Sequence, residues 1–185
     1  KEIEDGTFLA AFAIQHHKDH ARLAIDMGGG YGDSCYTHVK DILVPEPHKY
    51  VGSKTSTRLA RVTGLKFSNM RSECLWRVRE MLDPENPENF DCEISLPDDA
   101  KMKADLCAVR FKVRSGVIHA EPKEDLCIRI GRSTDDGDAV MIALCAPVVH
   151  PDEIAATRQK HLQGKPGGRG MLKVKVGYEK AKRRG

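Results

Sequence analysis

Two aspartates are placed unlike the other acids of this chain. Asp26 closes the short apolar run at 22–25, and Gly28-Gly29-Gly30 follow almost at once. In open α/β sheets, binding and reacting groups lie beyond the carboxyl ends of strands. Glycines at such a place let a large substrate approach the backbone. Asp138 stands one turn into an otherwise apolar helical segment (AVMIALCA, 139–146), where an unpartnered carboxylate is costly. If both acids face one cleft, their mutual repulsion calls for a cation. Magnesium or manganese with oxygen ligands is the natural choice. Bland readings stand beside this one. Asp26 can cap the helix that follows, and Asp138 can sit near a helix N-terminus for dipole reasons that apply more strongly to Asp135 and Asp136.

Other chemistries find less support. The stretch GGGYGD (28–33) lacks the third glycine of a dinucleotide fingerprint, and no ribose-binding acid ends a strand about 20 residues further on. No phosphate-loop motif occurs. His16, His17, Asp19 and His20 include an i, i+4 pair, but beside a strand-to-strand transition they read as a solvated polar turn. The six cysteines stand 15 to 39 residues apart with no C-x-x-C among them, which argues against structural zinc. Cys107, Cys127 and Cys145 lie in apolar-periodic segments and read as buried free thiols of a reducing compartment. None has the glycine elbow or basic pocket of a nucleophile.

The elements that must position the two acids follow from local signals. Apolar runs at 7–14 and 22–26, separated by turn residues, read as buried strands, and 31–43 as a helix. Pro45 and Pro47 frame a loop before a strand at 48–51. Residues 53–66, with five Ser/Thr and four Lys/Arg, form an exposed basic loop. Asn69 caps a helix over 70–82 with Leu75, Val78 and Leu82 on one stripe. After the turn-rich 83–91, Pro97-Asp98-Asp99 opens a helix whose stripe is Met102, Leu106 and Val109. Residues 110–119, split by Ser115-Gly116, alternate as a β-hairpin. A helix over 122–130 starts on Pro122. An S-x-x-D signal at 133–136 then leads into the last helix, apolar nearly all round and hence packed inside, which Pro147 and Pro151 stop.

The 185 residues suit one domain with a tail: 1–146 as the folded body and 147–185 as a basic, partly flexible end. From Arg158 to Gly185 there are ten Lys/Arg against one acid, whereas residues 1–157 carry 20 bases against 26 acids. That asymmetry fits a polyanion-seeking tail and equally a merely solubilising one. Aromatic residues make up only 5%, which argues against stacking on single strands. No apolar run nears the ~18–20 residues of a membrane span, and no signal segment opens the chain. Because Lys1 already stands on the approach to a strand, the expectation is the C-terminal part of a longer polypeptide.

Taken together, four stretches resemble one family. KFSNMRSECLWRVREMLDP (66–84), ISLPDDAKMKADLCAVRF (94–111) and GVIHAEPKEDLCIRIGRSTDDGDAVMIAL (116–144) are similar to the C-terminal nuclease domain of the large terminase subunit of tailed bacteriophages. AIDMGGGYGDS (24–34) resembles that family's strand ending in an acid before a glycine-rich turn. The last block carries most of the specificity, an R-x-G-R-S turn followed by S-P-D-x-x-D-A, with Thr134 here in place of the proline.

The resemblance implies an α/β, ribonuclease H-like mixed sheet flanked by helices, lacking its first strand or strands. It also implies a metal-dependent endonuclease that cuts concatemeric double-stranded viral DNA during genome packaging. Asp26 matches the later-strand acid and Asp138 the helix acid, with Asp135 as an auxiliary carboxylate. The first-strand acid has no match, since Glu4 and Asp5 precede a strand rather than end one. A two-metal site of Mg2+ or Mn2+ is implied, with Lys123 and Arg129 or Arg132 meeting the scissile phosphate. For these three the competing reading is a surface ion pair with Glu121, Glu124 or Asp125. Lys54, Arg58, Arg61 and Lys66 would track the DNA backbone without reading sequence. Implied partners are the portal and the small terminase subunit, reached through the full-length protein in the cytoplasm of a bacterial host. The alternatives are a non-catalytic DNA-binding or portal-docking module, and another ribonuclease H-like nuclease such as a junction resolvase.

Overall fold

The computed structural model describes residues 6–19, 21–85 and 94–147, with positions 152, 154–156 and 159 beyond them. The expected tail, His20, Cys92, Glu4 and Asp5 lie wholly or almost wholly outside these residues. Between residues 6 and 147, the described residues form six α-helices and five strands in this order: α1 (Gly6–His16), β1 (Ala24–Asp26), α2 (Tyr31–Val39), β2 (His48–Tyr50), β3 (Lys66–Phe67), α3 (Met70–Leu82), α4 (Ala100–Ala108), β4 (Phe111–Arg114), β5 (Val117–Ala120), α5 (Lys123–Ile130) and α6 (Asp135–Cys145). No described helix is long and apolar enough to cross a membrane.

The strands pair in two small sheets. β1 and β2 are parallel, with Asp26 opposite Tyr50, and the amide of Met27 carries the ladder on to the Tyr50 carbonyl at 2.8 Å. The second sheet is mixed: β5 lies between β3, its parallel partner, and β4, its antiparallel one. Helices α3 and α6 pack on each other and reach across to β5 and β1 respectively. Tyr50, Cys74, Leu75, Val78, Met141 and Ile142 form the core that joins these elements. A smaller core gathers Ile25, Cys35, Val39 and Leu43 where α2 covers β1.

Local signals act where expected. The Asn69 side chain accepts the Ser72 amide at 2.8 Å, so α3 begins at Met70, and Asp99 caps α4 in the same manner through Met102. The apolar run 7–14 behaves differently from its expectation as a strand: it lies inside helix α1. An apolar run does not by itself separate a buried strand from a helix, and three alanines and a leucine favour the helix. Helix α6 is also less enclosed than its composition suggests, because Gly137, Met141 and Ile142 are buried while Ala139 and Ala143 face outward. Among the five described cysteines, all free, only Cys35 and Cys74 are fully buried, and Cys107 is exposed.

One close approach fixes Asp26. A Cβ at Gly32, in the first turn of α2, would stand 2.2 Å from the Asp26 carbonyl oxygen and 2.9 Å from Ile25 Cγ2. An alanine in a helix normally gains about 1 kcal/mol over glycine. Here backbone is the obstacle, and overpacking of this kind costs about 1–3 kcal/mol. Gly32→Ala is therefore expected to destabilise the fold, measured by urea unfolding, rather than to strengthen α2.

Candidate active site

Strand β1 ends by delivering Asp26 to solvent. Its Oδ1 accepts the Gly28 amide at 2.9 Å, a tight turn that holds the carboxylate against the start of the glycine run. Gly29 and Gly30 have φ of 66° and 81°, a left-handed region that glycine enters without steric cost. From the other side, α6 presents Asp138 in its first turn, where the helix dipole favours negative charge. The two aspartates line one cleft of about 510 Å³, floored by Tyr50, Met141 and Ile142 and walled by Ser68, Asn69, Ser72, His119 and Lys123. Folding thus brings together two acids that are 112 positions apart in the sequence.

Asp138 is mostly buried, at 14% exposure, and is well supplied with donors. Lys123 Nζ reaches its Oδ2 at 2.8 Å, Thr134 Oγ1 donates to the same oxygen at 3.2 Å, and Arg71 Nη2 stands 4.0 Å from Oδ1. Lys123 also bonds Asp135 Oδ1 at 3.2 Å. Burial alone would lower the Lys123 pKa, but its bonds to Asp138 and Asp135 outweigh that and hold the ammonium above its ordinary value. Asp135 is held below the usual carboxylate range by hydrogen bonds from Ser133 and Lys123. It does not line the cleft but grips Lys123 from outside it. The charge balance that sequence reasoning assigned to a metal is thus partly met at Asp138 by two side chains.

Arg71 is the residue that sequence reasoning passed over. It lies in the first turn of α3, only 15% exposed, with Nη1 donating to the Glu121 carbonyl at 2.6 Å. Nη2 is buried and has no hydrogen-bond partner. A signal existed: a cation near the positive end of a helix breaks the usual charge preference, and such breaches concentrate at functional sites. Beneath it the Tyr50 hydroxyl is also buried without a partner. Burial pushes that phenol well above its ordinary pKa, and the fields of Arg71 and Asp26 both reach it.

The other cations expected at DNA are placed elsewhere. Arg129 grips both carboxylate oxygens of Glu121, at 2.9 and 2.6 Å, and donates to the Ala108 carbonyl. Arg132 bonds the fully buried Asp105 and the Ser133 carbonyl. Neither lines the cleft. Their ion pairs are thus the structural alternative, with Asp105 as an unforeseen partner. The basic loop is latched to α3, because buried Glu73 takes Ser56 Oγ at 2.7 Å and Arg58 Nε at 3.7 Å, and Glu80 takes the Arg61 amide at 3.2 Å. Lys54 follows Ser53 at the cleft rim, and Lys66 opens β3.

The Glu121–Arg129 pair gives a pH expectation. Arg129 lowers the Glu121 pKa below its reference of 4.5, so the stabilisation is present above about that pH and lost as pH falls through the lower folded value. Thermal melts from pH 7 down to pH 3 should therefore fall less steeply in Glu121→Gln than in the parent. Equal slopes would remove this pair from the acid response.

A divalent cation fits the donors in type. Carboxylate oxygens suit a hard ion, and Mg2+ is commonly held by one or two carboxylates with water and substrate phosphates completing its shell. Among the described residues, no group of three or more His, Cys, Asp or Glu is arranged to hold a metal. Asp26 and Asp138 line the cleft, and Glu124 and His119 are the other acid or imidazole side chains along it.

No family model matches the sequence, and no curated protein matches it as a relative. Solved structures do. The nuclease domain of the large terminase subunit gp2 of bacterial virus Sf6 is similar with a TM-score of 0.56 at 19% identity, over 77% of this chain and 72% of that one. Mutant forms of the same domain with manganese and with calcium give TM-scores of 0.56 at 18% identity, over 77% of this chain and 72% and 71% of theirs. The chain therefore has the α/β, ribonuclease H-like fold of that nuclease domain, as its sequence blocks suggest.

Proposed function

We propose that this chain is a divalent-metal-dependent DNA endonuclease that cuts concatemeric double-stranded viral DNA during genome packaging. One observation carries the reading: Asp26 and Asp138 open onto a single cleft together with Lys123 and Arg71. Asp26 and Asp138 would hold Mg2+ or Mn2+. When bound, such an ion polarises a phosphodiester and lowers the pKa of a bound water, and a pair of ions does so on both sides of the scissile bond. Two carboxylates suit one ion; a second would need a further acid, and Glu124 also lines the cleft.

The remaining steps belong to side chains. Arg71 Nη2, buried and without a hydrogen-bond partner, is a ready donor for a non-bridging phosphate oxygen. Lys123, 40% exposed, keeps a proton free to donate while its bonds to Asp138 and Asp135 fix the ammonium. Asp135 in this reading positions Lys123 instead of binding metal. Ser68, Asn69 and Ser72 line the wall with neutral polar groups that do not repel a phosphate. Lys54, Arg58 and Arg61 extend the cationic surface along the backbone. Portal and small terminase subunit would be met through the full-length protein, in the cytoplasm of a bacterial host.

A second reading has its own support. Lys123 and Arg71 already neutralise Asp138, as in a binding module whose acids are structural. Incubation of supercoiled plasmid with the protein in Mg2+ or Mn2+ separates the two. Nicked and linear products are expected from the nuclease, and intact plasmid under both metals would leave the binding module.

A further inference from the structure

We infer that the outer face of the β4–β5 hairpin is a track for the phosphate backbone that leads duplex DNA into the cleft. This rests on the nuclease reading for its choice of polyanion. On β4, residues two apart share a face, so Arg110 (just before the strand), Lys112 and Arg114 stand in a row, and all three are exposed. The antiparallel register sets His119 of β5 opposite Lys112 on the same face. The opposite face carries Phe111, packed edge-on to Trp76, and the fully buried Ile118. The hairpin thus turns Phe111 and Ile118 to the core, with Val113 on the same side left exposed at the rim, and leaves its cationic side free.

Charge on that side is not cancelled. Among the described residues, none of the three cations is ion-paired. Glu121 is taken by Arg129, which leaves Asp125 as the single unneutralised acid beside them. Arg110, Lys112, Arg114 and His119 line a hollow of about 400 Å³. His119, Ala120 and Pro122 border both this hollow and the cleft of Asp26 and Asp138, so the two form one continuous surface. Strand β5 runs on through Pro122 to Lys123, which bonds Asp138. A strand held along the row would pass from Arg114 towards the acids.

Edge protection is the competing account, because β4 ends its sheet and charged residues on such strands discourage pairing with other chains. Anisotropy of a labelled random-sequence duplex, in EDTA so that nothing is cut, decides between them. The double variant Lys112→Gln/Arg114→Gln should bind about tenfold more weakly, and its slope of log affinity on log salt should shrink by about two. Its melting temperature should be unchanged, since both side chains are exposed. Parent-like affinity and salt slope, with or without self-association, would overturn the track. Plasmid cleavage reports separately: intact cleavage with hairpin-independent binding removes the track alone, and hairpin-dependent binding without cleavage removes the nuclease alone.

Discussion

Asp26→Asn and Asp138→Asn are each expected to lower Mg2+- or Mn2+-dependent plasmid cleavage by about a thousandfold or more. A metal-polarised phosphate is stabilised by several kcal/mol in the transition state, and ~4 kcal/mol corresponds to roughly a thousandfold in rate. Asparagine keeps the shape but not the charge that binds a hard cation. The variants should differ in stability. Asp26 is exposed and makes one turn bond with Gly28, so Asp26→Asn should melt as the parent does. Asp138→Asn leaves Lys123 and Arg71 without their shared acid and should melt lower. Asp136, on the same helix but paired with Lys101 at the surface, is the control, and Asp136→Asn should cut normally. Parent-like cleavage by either active-site variant would remove that acid from the metal site.

The second large effect concerns stability. Asp105 is fully buried and is satisfied by Arg132 and by the Gly137 amide at 3.2 Å. Gly137 itself has no room for a side chain, as a Cβ there would stand 2.7 Å from Asp105 Cβ. The contact of α4 with α6, and with it the placement of Asp138 one residue on, is built around this pair. Arg132 is 36% exposed but Asp105 is not exposed at all, so removing the arginine strands a buried carboxylate, at the lower end of the about 3–5 kcal/mol of a fully buried pair. Arg132→Met should therefore lose about 3 kcal/mol in urea unfolding, or roughly 6–12 °C in melting temperature for a chain of this size. Adding Asp105→Asn should recover much of it, because the neutral amide tolerates burial and still accepts from Gly137. If Arg132→Met instead left stability intact and weakened DNA binding with a smaller salt slope, Arg132 would belong to the DNA surface.

Much of the fold is legible because its signals are local. Asn69 and Asp99 cap α3 and α4 through amides three residues ahead, and Ser115-Gly116 turns the hairpin with both residues at positive φ. Such contacts span a few residues, so the residue types near a boundary suffice to place it. α1 was less legible, because an all-apolar run lacks the alternation that separates strand from helix. In the cleft, Asp26 and Asp138 stood out by breaking the pattern of apolar segments. Arg71 did so only weakly, as one of three arginines in α3.

By itself, then, the sequence determined the β4–β5 hairpin, the strands at Asp26 and Tyr50 and the place of most helices, and which two acids interrupt apolar segments, while it took α1 for a strand and left β3 unassigned at the end of a loop. Only the tertiary structure decided which cation faces which acid. It set Lys123 and Arg71 on Asp138, gave Arg129 to Glu121 and Arg132 to Asp105, and left Arg110, Lys112 and Arg114 open to solvent. The reason is range. Capping and turn bonds are closed by near neighbours in the chain, whereas an ion pair depends on a few ångströms between side chains whose separation is set by the packing of distant elements.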